Sequence, residues 1–84
     1  MKTHEISIQT NIFNAIQRPT TQEDNFGEIV DRWDLYYKFH FETNGNETER
    51  QTGHLVKYFN GNFAVFHGSL RYDFPGENVT VIKI

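Results

Sequence analysis

The residues of this chain whose types could do chemistry are two histidines, His54 and His67, and four carboxylates, Glu23, Asp24, Asp31 and Asp34. Facing imidazoles can share a metal ion through neutral ring nitrogens, and paired carboxylates can divide acid and base roles. The spacing argues against the second option. Asp31 and Asp34 have opposite parity, so one strand sends them to different faces, and they read as solvated surface acids. The chain has no cysteine, which removes thiolate nucleophiles, disulfides and Cys-ligated zinc or iron–sulfur sites. No Gly-x-Ser-x-Gly, phosphate-loop or dinucleotide-binding pattern occurs. The expectation is a noncatalytic protein without a cofactor, with His54 and His67 as the candidate metal ligands.

Those histidines are positioned by a run of alternating residues. From Trp33 to Thr43 the odd positions are Trp33, Leu35, Tyr37, Phe39 and Phe41, and the even ones are Asp34, Tyr36, Lys38, His40 and Glu42. Period two marks a half-buried strand. Asn44-Gly45 follows, and Asn60-Gly61 comes sixteen residues later, each suited to a two-residue type I′ turn. With those turns, Leu35 pairs with His54 and Trp33 with Val56, then Val56 with Val65, Tyr58 with Phe63 and His54 with His67. Val56 and Tyr58 would join the face of Trp33 and Leu35, and Leu55, Phe59, Ala64 and Phe66 would form an apolar group on the other face.

Either side of this meander the signals change. Thr3 to Thr10 alternates as a first strand, with His4, Ile6 and Ile8 on one side. Ile12, Phe13 and Ile16, spaced i, i+1, i+4 and followed by Pro19, predict a helix of two turns at most. RPTTQEDNFG at 18–27 reads as one long loop, and such loops are commonly functional. Leu70 to Phe74 and Val79 to Ile84 flank Pro75-Gly76, which predicts a final hairpin. The fold class expected is a single mainly-β domain over 1–84. It is a small twisted antiparallel sheet or partly closed barrel of about five to six strands, with one short helix near the N-terminus.

Charge narrows the partner. Eight Lys and Arg stand against eleven Asp and Glu, a net charge of −3, and the basic residues are spread along the chain. Binding to a phosphate backbone needs several of them together, so a protein partner is favoured over nucleic acid. The N-terminus carries no apolar run of the signal-peptide kind, and no stretch nears the length of a membrane helix. The expected location is the cytoplasm.

The opening KTHEISIQTNIFNAI at 2–16, QTGHLVKYF at 51–59 and the closing PGENVTVIKI at 75–84 resemble ASCH-type, PUA-like β-barrel domains in order and spacing. That resemblance implies binding of RNA or a nucleotide derivative in a barrel cleft. The family's Gly-x-Lys and Glu-x-Arg motif is replaced here by Arg18-Pro19-Thr20-Thr21-Gln22-Glu23, so no site residue carries over. Two functions follow. One is a noncatalytic acidic protein-binding module, of the phage or mobile-element kind that regulates or inhibits a larger nucleic-acid enzyme. Its anchors would be Phe26, Arg32, Tyr36, Lys38 and Tyr72, the ring and cation types that dominate interfaces. The alternative is a barrel that binds single-stranded RNA or a nucleotide, stacking bases on exposed rings. An exposed edge strand could also pair two copies of the chain into a homodimer.

Overall fold

The computed structural model describes residues 2–20, 23–24, 26–37 and 51–84. Among these residues eight strands form, in chain order β1 (His4–Ile8), β2 (Asn11–Arg18), β3 (Glu23–Asp24), β4 (Gly27–Tyr37), β5 (Gln51–Tyr58), β6 (Phe63–His67), β7 (Leu70–Phe74) and β8 (Val79–Lys83). Seven of them make one antiparallel sheet in the order β7-β6-β5-β4-β2-β1-β8, and β3 pairs with the start of β4. The sheet curls into a half-barrel. The mainly-β, partly closed expectation holds, with more strands than the five to six expected.

The expected helix at Ile12, Phe13 and Ile16 is a strand. β2 pairs with β1 on one side and β4 on the other, placing Phe13 beside Ile6 and Ala15 between His4 and Leu35. Phe13 and Ala15 therefore face the core while Ile12, 44% exposed, faces out. The i, i+1, i+4 spacing fits both periods, and tertiary pairing selects the strand. The segment 18–27 is likewise not one long loop, because Asp24 of β3 lies opposite Gly27 at the start of β4.

The final hairpin is also absent. Pro75 leads into a single 3₁₀ turn, Gly76–Asn78, and β8 crosses over to pair with β1, Ile6 opposite Val81. β7 and β8, consecutive in sequence, thus form the two edges of the sheet.

The concave face holds the main core: Ile6, Ile8, Ala15, Trp33, Leu35, Leu55, Phe63 and Val79, with Phe13, Val65 and Phe74 packed against it. Both expected registers around β5 are off by one residue. Trp33 pairs with Leu55, Asp34 with His54 and Leu35 with Gly53; His54 pairs with Phe66, Leu55 with Val65 and Val56 with Ala64. The cause at the second turn is visible. Phe59-Asn60-Gly61 is a three-residue connection, closed by Gly61 N–H to Tyr58 O (2.9 Å) and Tyr58 N–H to Asn62 O (2.8 Å), with Gly61 at φ 90°. That is a turn with a glycine bulge in place of a two-residue type I′ turn. The expected turn at Asn44-Gly45 lies outside the described residues.

The two slips compensate, so β4 and β6 keep their expected faces and β5 alone is turned over. Leu55 enters the core, while Val56 and Tyr58 join Ala64 in a second cluster on the convex face, packed with Ile29 and Phe66. Two irregularities in the β4–β5 ladder bend this part of the sheet. At one of them Gly53 (φ 153°) approaches the next strand so closely that a Cβ there would stand 2.3 Å from the Phe66 carbonyl oxygen.

Candidate partner-binding face

Pairing across the convex face sets side chains in rows. One row runs Ile16, Asp34, His54, Phe66 and Arg71 across β2, β4, β5, β6 and β7; the next runs Arg18, Arg32, Val56, Ala64 and Asp73. All three described arginines, Arg18, Arg32 and Arg71, therefore stand on one face of the sheet, and Tyr36 shares it because it lies two residues beyond Asp34 on β4. The apolar middle of these rows, Val56 and Ala64, is buried. Cations and rings surround it.

The charges are not evenly matched. Arg18 and Arg32 are directly opposite each other on neighbouring strands, an arrangement of like charges that costs stability in a sheet. Asp34 relieves one of them: the Arg18 Nε–H donates to Asp34 Oδ2 at 2.7 Å. That bond, then the Asp34 charge and a smaller contribution from Tyr36, holds the Arg18 pKa above its ordinary value. Arg71 is closed by Asp73 on its own strand. No described carboxylate makes an ion pair with Arg32, which is exposed.

Rings organise the other end of the row. The His54 imidazole stacks on Phe66, with centroids 5.0 Å apart and planes 18° from parallel. Burial, and then the charge of Arg32, push the His54 pKa below the usual imidazole value, with Asp34 opposing them. The Arg71 guanidinium lies 3.6 Å from the centre of the Phe26 ring and 5.8 Å from those of Tyr58 and Phe66. Its Nη2 donates to the Tyr58 hydroxyl at 3.3 Å. Phe26 itself is 59% exposed.

Of the five residues singled out from sequence, Phe26, Arg32 and Tyr36 come together on this face. Tyr72 does not: it pairs with Val65 and faces the concave side. Lys38 lies outside the described residues. The expected facing of His54 and His67 is not formed, since His54 is convex and paired with Phe66, whereas His67 pairs with Leu70 and faces the other way. Among the described residues no group of three His, Asp or Glu could hold a metal ion. The carboxylates separate as their parity required, Asp34 to Arg18 and Asp31 to the amide of Gln17 (3.0 Å).

Arg18, Phe66 and Arg71 were not foreseen as site residues, and His54 was expected as a metal ligand, not as part of this face. Arg18 joins the face because β2 is a strand paired with β4, Phe66 keeps its expected outward side, and His54 joins once β5 is turned over, because it then falls in line with Asp34. Arg71 has no sequence signal, since its partner Phe26 is 45 positions away. No known protein family, curated protein or solved structure matches the chain. Among the described residues, no helix is long and apolar enough to cross a membrane.

Proposed function

We propose that this chain is a noncatalytic binding module whose convex face docks on a protein partner. The observation that supports the reading is the collection of Arg18, Arg32 and Arg71 on one sheet face among Phe26, Tyr36, His54 and Phe66. Folding alone gives no reason to set Arg18 opposite Arg32 with a single aspartate between them. An incoming carboxylate on Arg32 would remove that repulsion, so binding energy is available there. Arg and aromatic anchors around a buried apolar centre match the composition of interface hot spots.

A protein partner is favoured over RNA by the aspartates. Asp34 and Asp73 already neutralise two of the three guanidiniums and would repel a phosphate backbone, whose binding depends on several uncompensated cations. A face with both signs suits a protein surface with both signs. The test is a fluorescence titration with a mixed pool of labelled short single-stranded RNAs at low salt. No binding at micromolar protein is expected. Tight binding that weakens steeply with added salt would replace the protein reading with the RNA one.

A further inference from the structure

On the opposite side of the sheet from the convex face, the trough of the half-barrel is not filled to its end. A cavity of about 250 Å³ opens there, bounded by Ile8, Phe13, Leu35, Val65 and Phe74, which β1, β2, β4, β6 and β7 contribute. Leu35, fully buried, forms part of its wall. Asn11, Thr52, His67 and Tyr72 also line the space. None of these four makes a side-chain hydrogen bond with another described residue. Among the described residues, no Asp, Glu, Lys or Arg lines it. Gln9, the one described non-glycine residue at positive φ (55°), also lies on it, so the backbone is held in an uncommon conformation where the cavity is built.

We infer that this cavity is a binding site for a small, uncharged, planar heterocycle with a hydrogen-bonding edge. Its size sets the ligand. An apolar cavity of about 150 Å³ accepts a benzene ring, so this one has room for one ring or two fused rings. The walls set the shape, because Phe13 and Phe74 bring ring surfaces against which a flat molecule stacks. The lining sets the chemistry: amide, hydroxyl, imidazole and phenol groups offer donors and acceptors to a polar edge. With no Asp, Glu, Lys or Arg among the described lining residues, a charged ligand would be desolvated without a partner there. Apolar walls with a few convergent polar groups are the usual make-up of a small-molecule pocket, and the mouth of a barrel is one of its usual places.

The probe is 2-aminopurine, a fluorescent planar heterocycle of this size that is excited beyond tryptophan absorption. Titration of the full chain should quench it saturably. Val65→Trp, which fills the cavity, should abolish binding, while Asn11→Ala and His67→Ala should each weaken it about three- to tenfold, the worth of one hydrogen bond. Arg32→Glu on the convex face should leave it unchanged, which separates this site from the partner face. Amide shift mapping gives a readout that does not depend on Val65→Trp folding: ligand-induced shifts should cluster at Asn11, Thr52, Val65 and Tyr72. Lack of saturable quenching, or shifts centred on the convex face, overturns the inference.

Discussion

Arg32 and His54 show what single residues contribute. Arg32 is exposed and sits opposite Arg18, so it should carry little of the fold and much of the binding. Arg32→Ala is expected to change stability by less than about 0.5 kcal/mol, as surface substitutions away from packing features do, or to raise it slightly by removing the repulsion. Urea titration checks this. A loss of several kcal/mol would mean that the guanidinium supports the sheet instead. His54 behaves differently because burial and Arg32 both disfavour its charged form. Its folded pKa is lowered, so as pH falls below the ordinary value of 6.5 the unfolded chain takes up the proton before the folded chain does. Stability should therefore fall as pH drops through and below that value toward the lowered folded pKa. In His54→Phe, which keeps a ring against Phe66, that part of the slope should vanish. Denaturation midpoints at pH 7.5 and 5.5 compare the two; an unchanged slope would contradict the placement of His54. The same histidine marks how far side-chain reasoning reached. Its lowered pKa could not be read from the sequence, because its causes are burial and the charge of Arg32 across the sheet.

β5 is the element on which legibility turned. The alternation of Trp33, Leu35 and their neighbours located β4, and Phe63, Val65 and His67 fall on the face expected of β6. Between them β5 reads Leu55, Val56, Lys57, Tyr58, apolar on both parities, so its own pattern could not choose a face. The choice passed to turn geometry, and a three-residue glycine bulge differs from a type I′ turn by the one residue that turns the strand over. Agreement between two registers that share a strand is not independent evidence, because both slipped together. The helix expected at 12–16 failed for a related reason: Ile12, Phe13 and Ile16 satisfy helical spacing, while the strand places Ala15, too small to signal itself, at the core. Two measurements probe this element. Leu55→Ala should cost about 2–5 kcal/mol, the range for a core leucine; a cost below 1 kcal/mol would put Leu55 on the outer face. Gly53→Ala should cost more than about 2 kcal/mol, since both φ and the Phe66 carbonyl oppose a methyl there. Gly61→Ala should cost less than Gly53→Ala, because its Cβ would meet no atom within 4 Å.

At the scale of the whole fold, the described residues form a curled sheet with two different faces and two edges. Its concave side carries the larger core and a cavity, and its convex side carries the smaller core ringed by arginines and aromatics. The net charge of −3 conceals this: the described arginines gather on one face although the chain is acidic overall. On the proposed reading, that concentration of guanidiniums calls for carboxylates on the partner, set close to Arg32. β7 and β8, as edges, hold fewer backbone hydrogen bonds than the strands between them, so amide exchange should be fastest there and slowest in β2, β4 and β5. Those same edges offer unpaired ladder groups to a second copy of the chain, and sedimentation at increasing concentration reads any such pairing. The most direct test of the partner face is affinity capture from the source cell, comparing the natural chain with Arg32→Glu, Phe26→Ala and the concave-face variant Tyr72→Ala, each first checked for folding by circular dichroism. The natural chain and Tyr72→Ala should retain the same protein, and Arg32→Glu and Phe26→Ala should lose it. Retention by Arg32→Glu together with loss by Tyr72→Ala would contradict the assignment and move the interface to the concave side.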